Sequence, residues 1–167
     1  QKDFETLVRA FALVLEQRSV RLLLVGDGDN KENLESLCSE LGISDSVDFV
    51  GYKSNPHKYV SRADVFVLSS RYEGLPNALV EAVGVGTPSI ATDCPSGPRE
   101  VLLDGDGGLL VPVGDTDAMA TAIHTYLDDP ETATRHLATA GDALNRFSPE
   151  RAADAYLQLA AGNTPDR

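Results

Sequence analysis

Five short apolar runs, VRLLLVGDG, VDFVGY, DVFVLSS, PSIATD and GGLLVPV, recur along the chain with longer stretches between them. Runs of this length, closed by glycine or polar turns, suit strands buried on both faces. The stretches between them have a different rhythm. In QKDFETLVRAFALVLEQ, apolar residues fall at Phe4, Leu7, Val8, Phe11, Val14 and Leu15, the spacing of an amphipathic helix. NKENLESLCSELG predicts a second helix, with Asn30 as its cap and Gly42 as its stop. HKYVSRA, PNALVEAVGVG, SGPREVLL, DTDAMATAIHTYLDD and ETATRHLATAGDALNRF predict further helices. PERAADAYLQLAA predicts a last one, with Ser148 as cap and Pro149 at its first position. Strands alternating with helices predict an α/β fold, a doubly wound Rossmann-like parallel sheet covered on both faces. Such a domain ordinarily opens on a strand. This chain opens on a helix, so a first strand is expected upstream.

The 167 residues suffice for one domain with a sizeable core. Residues 1–162 are assigned to that domain and 163–167 to a frayed tail. The net charge of −12 argues against nucleic acid as a partner, because an acidic surface repels the phosphate backbone. No apolar run reaches the length that crosses a bilayer, and no leader pattern is expected. Cys38 and Cys94 lack C-x-x-C spacing and read as free thiols in a reducing compartment.

Ligands of doubly wound sheets bind beyond the carboxyl ends of the strands. Three strand-to-helix turns carry unusual residues: GDGDN, SSRYEGLPN and TDCPSGP. In EGLPN, Pro76 suits the first turn of a helix, where a missing N–H costs nothing. The amides of Gly74, Leu75, Asn77 and Ala78 are then expected to point outward at the positive end of the helix dipole. That is a site for a phosphate or diphosphate. A plainer reading makes Glu73 a cap for this helix and Glu81 a solvated side chain.

Other motifs carry less. GDGDN and LLDGDGG each contain Asp-x-Asp, but in glycine-rich turns, so Asp27, Asp29, Asp104 and Asp106 are not read as metal ligands. An EF-hand starting at Asp104 fails because its sixth position is Leu109 rather than glycine. His57, His124 and His136 have no metal spacing. Cys94 lacks an adjacent base and reads as structural. No metal or other cofactor is expected.

The string SSRYEGLPNALVEAVGVGTPSIATDCPSGPREVL resembles the signature of glycosyltransferase family 4, whose enzymes have the GT-B fold. The E-x(7)-E element reads as Glu73 and Glu81, with Gly74, Pro76, Ala82, Gly86 and Pro88 around it. The resemblance covers nearly the whole chain and corresponds to the C-terminal, donor-binding half. It implies that Glu73 hydrogen-bonds the donor sugar and Glu81 accepts the two ribose hydroxyls. It implies that the segment Gly74, Leu75, Pro76, Asn77 and Ala78 cradles the diphosphate through its backbone amides, Pro76 having none to give, and that Lys2 neutralises it. The family's companion arginine, in a G-R-L string, is not among these residues. Gly26, Asp27 and Gly28 would line the sugar-phosphate side, and Gly51 and Tyr52 would lie near the base. Arg99 and Glu100 follow in a loop with no assigned role.

The same resemblance implies a retaining glycosyltransferase that uses a nucleotide-diphosphate sugar, and the PSGP loop favours UDP-hexose or UDP-N-acetylhexosamine donors. The acceptor would be a saccharide or lipid-linked sugar, held by an N-terminal domain outside this chain, so these residues alone are expected to be inactive. The setting would be cell-surface polysaccharide or glycolipid synthesis. The location would be cytoplasmic, with peripheral membrane attachment a further expectation. Two alternatives stay open: a nucleotide-sugar epimerase of the GT-B fold, and a non-catalytic nucleotide-binding module. A dinucleotide oxidoreductase is disfavoured, since GDGDN lacks G-x-G-x-x-G.

Overall fold

A computed structural model describes residues 1–148 and, beyond them, Ala153 and Leu157. Helix α1 spans Phe4–Leu15, followed by strand β1, Leu22–Val25, and helix α2, Lys31–Glu40. Strand β2, Val47–Gly51, leads to a one-turn helix α3, His57–Val60. Then come β3, Phe66–Leu68, α4, Asn77–Gly84, and β4, Ser89–Thr92. The described chain closes with α5, Pro98–Val101, β5, Leu109–Val111, α6, Thr116–Asp128, and α7, Pro130–Ala143.

All strand pairings are parallel, in two groups, β1–β2 and β3–β4–β5. The alternation of side chains along the second group sorts it between two cores, as a period of two requires. Val67, Ile90, Leu109 and Val111 face a core shared with α1, α2 and α6. Phe66, Leu68, Ala91 and Leu110 face another, built with α4, α5 and α7. Leu24 and Val47 join the first core, so the two strand groups share one interior. Leu79 and Ile90 are completely buried. Each contributes about 1.5–3 kcal/mol relative to an exposed position.

β1 departs from the sequence expectation of burial on both faces. Leu23 is 45% exposed, and the second core contains no residue of β1 or β2. Among the described residues only one face of this pair is covered.

The helix stops follow from glycine. Past α2, Gly42 is left-handed at φ 69, its amide bonds the Ser39 carbonyl, and the Ile43 amide reaches back to Cys38. Past α4, Gly86 is left-handed at φ 89, with the same pair of bonds from Gly86 to Val83 and Thr87 to Ala82. Both are Schellman closures, which place a polar turn directly before the next strand. The N-termini of α6 and α7 are capped by Asp115 and Asp129, whose carboxylates accept from the amides of Ala118 and Thr132. Asn30 stands at the cap position of α2 but makes no side-chain cap bond. Its Oδ1 accepts from Asn33 at 2.6 Å instead. The predicted ETATRHLATAGDALNRF helix ends at Ala143 and tightens into a 3-10 turn, Leu144–Phe147. Ser148 is extended; Pro149, most of the last expected helix and the 163–167 tail lie outside the described residues.

Candidate functional site

The loop Ser69–Pro76 joins the carboxyl end of β3 to α4, and the first three residues of the chain are fastened to it. The Arg71 amide donates to the Gln1 carbonyl at 2.9 Å, and Ser69 Oγ donates to the Lys2 carbonyl at 2.6 Å. Asp3 takes the left-handed conformation at φ 47. Its buried carboxylate accepts from Thr6 Oγ1 at 2.9 Å and pairs with Arg71 Nε at 3.1 Å. These bonds offset the strain of a non-glycine left-handed residue and hold Lys2 across the loop.

Lys2 Nζ therefore meets Glu73 Oε1 at 2.7 Å, across 71 residues of sequence. Ser70 Oγ donates to the same carboxylate oxygen at 2.6 Å. The Glu73 side chain is only 7% exposed, whereas Lys2 is 46% exposed. Burial alone would push the Glu73 carboxyl up. The Lys2 ammonium and the Ser70 hydroxyl outweigh it and hold the group below its ordinary value, so Glu73 is charged near neutrality. It makes no cap bond to α4, which removes the plainer reading of this acid.

A second loop braces the first. Ser96 Oγ donates to the Glu73 carbonyl at 2.8 Å. Gly97, at φ 86, packs so closely that a Cβ there would lie 2.3 Å from the Gly74 carbonyl oxygen and 2.6 Å from Pro76 Cδ. Thr92 Oγ1, at the end of β4, donates to the carbonyls of Leu68 and Ser70. Cys94 is buried in this loop. Burial pushes its thiol up and the Glu73 charge adds to this, against a bond with Thr92, so it is a neutral thiol rather than a nucleophile. Arg99, in α5, pairs with Asp93 at the start of this loop and with Asp104 beyond the helix.

Pro76 stands at the cap position of α4. Among the described residues the amides of Gly74, Leu75 and Ala78 have no intramolecular acceptor. The Asn77 amide differs from expectation: it donates to the Leu75 carbonyl at 2.9 Å in a tight turn, so it is not free for an anion. Glu81 lies one turn into α4 and is half exposed. Its Oε2 meets His57 Nε2, at the start of α3, at 3.1 Å.

The remaining predicted residues form a separate constellation. The Gly26 amide donates to the Gly51 carbonyl at 3.0 Å, joining the carboxyl ends of β1 and β2. Both glycines have positive φ, 128 and 72. Asp27 points across this junction, 3.4 Å from where a Gly51 Cβ would sit. Gly28 accepts the Lys31 amide, and Tyr52 is exposed. The His57–Glu81 contact joins the chain segment after Tyr52 to α4. Sequence reasoning did not assign Ser70, Ser96, Gly97 or His57 to the site. Ser70 alone carried a local signal, three residues before Glu73.

What this arrangement offers is a charged, nearly buried carboxylate, a partly exposed ammonium and free amides at a helix start. Among the described residues no group of three or more His, Cys, Asp and Glu side chains gathers to hold a metal ion. A surface groove of about 470 Å³ lies elsewhere, bordered by Arg9, Leu13, Leu41 and Thr116, and contains none of these residues.

The model of the glycosyl transferases group 1 family matches residues 1–141. The chain belongs to that family. Among relatives of this chain is the lipopolysaccharide core biosynthesis glycosyltransferase LpsE of Rhizobium meliloti. It is 38% identical over 96% of this chain and 46% of its own length. Sucrose-phosphate synthase from Thermosynechococcus elongatus superposes with a TM-score of 0.81 at 32% identity, covering 97% of this chain and 43% of that one. Anabaena HepE, solved with UDP, superposes with a TM-score of 0.80 at 24% identity, covering 87% and 41%. The fold is thus the Rossmann-like C-terminal half of a GT-B glycosyltransferase. The glycosyltransferase chain spans less than half the length of these relatives.

Proposed function

We propose that this chain is the donor-binding domain of a retaining glycosyltransferase, moving a sugar from a nucleotide-diphosphate sugar to a saccharide or lipid-linked acceptor. The single observation that carries the reading is the Lys2–Glu73 pair set beside the free amides of Gly74, Leu75 and Ala78. A diphosphate needs donors and positive charge inside a chain of net charge −12. A helix start and one ammonium supply them locally. The name of the Rhizobium relative supports a setting in cell-surface saccharide synthesis, and the UDP bound to the Anabaena neighbour supports a nucleotide donor.

In this reading the donor replaces an intramolecular contact. Lys2 turns from Glu73 toward the diphosphate, and Glu73 accepts hydroxyls of the sugar. Glu81 takes the ribose, with Gly51 and Tyr52 beside the base and Gly26 to Gly28 along the sugar-phosphate. Transfer proceeds on one face of the sugar: the acceptor hydroxyl attacks the anomeric carbon as the bond from that carbon to the diphosphate oxygen breaks, and the hydroxyl proton passes to the departing diphosphate. Charge grows on that leaving oxygen, where the preorganised amides and Lys2 stabilise it without reorganising. No metal is required for this. The acceptor is held by a separate N-terminal domain, so these residues alone bind donor without transferring it. The full-length enzyme works in the cytoplasm, attached peripherally to the inner membrane face.

Titration of the full-length protein with UDP-, GDP- and ADP-sugars tests the proposal. Saturable binding of one of them, followed by transfer with retained anomeric configuration, is the expected result. A folded protein that binds none of them overturns it.

A further inference from the structure

His57 touches one of the two acids that define the site, Glu81, and has no role in the proposed transfer. It is the first residue of α3, a one-turn helix reached from β2 through Tyr52. The far end of that turn is pinned by Thr87, which leaves α4 and donates its Oγ1 to the Val60 carbonyl at 2.8 Å. α3 is thus held beside α4 independently of His57. The His57 ring meets Glu81 Oε2 at 3.1 Å. A carboxylate only accepts, so Nε2 carries the proton in this contact, whichever charge the ring has.

The contact leaves Glu81 its capacity. Each carboxylate oxygen offers about two lone-pair sites. His57 takes one on Oε2, and Oε1 has no partner among the described residues. Two hydroxyls can still be received side by side. Glu81 is half exposed, and a free glutamate at such a position samples several rotamers. Fixing it before the nucleotide arrives lowers the ordering cost of binding.

We propose that His57 is a positioning residue for the ribose subsite: its Nε2–H holds Glu81 in the orientation that receives the ribose hydroxyls. This rests on the donor-binding reading of Glu81. The same bond couples the segment after Tyr52 to the helix whose start faces the diphosphate. An ordinary surface ion pair of this exposure would add little to stability and nothing to nucleotide recognition. The two roles therefore separate by measurement.

The test compares UDP with 2′-deoxy-UDP as calorimetric probes of the full-length protein, in wild type, His57→Leu, His57→Gln and Glu81→Gln. His57→Leu should weaken UDP binding about 3- to 10-fold, the range of one hydrogen bond to a charged, half-exposed group. It should weaken 2′-deoxy-UDP binding by less than about twofold, since that probe has lost a hydroxyl for Glu81 to hold. His57→Gln keeps an amide donor at similar reach and should restore UDP binding to within about twofold of wild type. In turnover, His57→Leu should raise the donor KM and leave kcat nearly unchanged. Thermal melting of each variant confirms that it is folded. If Glu81→Gln removes the preference for UDP over the deoxy probe while His57→Leu leaves it intact, the His57 role is overturned and the Glu81 reading stands. If neither substitution alters that preference, the ribose assignment itself fails.

Discussion

Glu73 is 7% exposed and held by two donors, Lys2 and Ser70, whereas Glu81, eight residues on, is half exposed and, among the described residues, held by His57 alone. The same side chain is thus placed in two settings within one loop and helix. A nearly buried carboxylate stays charged only where the fold supplies partners, and here one of them comes from 71 residues away. Glu81 needs no such support, because water already solvates half of it. On the proposed reading, this contrast would assign Glu73 to chemistry and Glu81 to binding. Glu73 is nearly buried, where a contact to a sugar would be little weakened by water. Glu81 lies where an added ligand contact contributes modestly and reversibly.

The largest effect expected from this contrast is on turnover. Glu73→Gln should lower kcat by roughly 100-fold or more, comparable to loss of one preorganised electrostatic group. Steady-state kinetics with saturating donor measures it. A fall confined to KM would make Glu73 a binding acid like Glu81 and erase the distinction.

Next comes the brace between the two loops. Gly97→Ala places a methyl 2.3 Å from the Gly74 carbonyl oxygen at a left-handed backbone position. It should destabilise the fold by about 2–3 kcal/mol, from overpacking plus backbone strain. It should also weaken donor binding, because Gly74 and Pro76 must shift. Urea denaturation and donor titration check the two parts. Gly86→Ala, left-handed but in open space, offers a control: it should cost about 1 kcal/mol of stability through backbone strain and leave donor affinity unchanged.

Glu81→Gln should raise the donor KM by about tenfold with little change in kcat, the cost of neutralising one half-exposed hydrogen-bonding charge. The smallest effect concerns pH. The folded Glu73 carboxyl lies below its ordinary value of 4.5. Its stabilisation is therefore complete above that value and is lost as pH falls through the folded value. The stability gap between wild type and Glu73→Gln, about 1 kcal/mol near neutrality, should close in acid.

Much of this was legible in the sequence. The alternation of apolar runs and helical stretches specified a parallel α/β fold, because strand period and helix period leave different patterns. The E-x(7)-E spacing located the two acids, and Pro76 located the helix start between them. Gly86 and Pro88, part of the same string, turn out to close α4 and admit β4.

What stayed hidden depends on contacts between distant residues. Nothing near Glu73 announces that residues 1–3 fold back through Asp3 and Arg71 to deliver Lys2. Lys2 itself was reached by resemblance rather than by pattern. Ser96 and Gly97 look like turn residues until the two loops are seen to touch. His57 has no metal spacing in the sequence, and its proximity to Glu81 is a property of packing. The Asn77 amide was expected to be free because it stands near the start of a helix, but the turn at Leu75 engages it first. Leu23 was expected to be buried because LLL reads as a two-faced strand, and burial on the second face depends on what else packs there.

A crystal structure of the full-length protein with its nucleotide sugar tests the central claim most directly. Expected are the diphosphate on the amides of Gly74, Leu75 and Ala78, Lys2 turned from Glu73 toward it, Glu73 on the sugar and Glu81 on the ribose. A nucleotide sugar bound elsewhere, with the Lys2–Glu73 pair still closed, would contradict it.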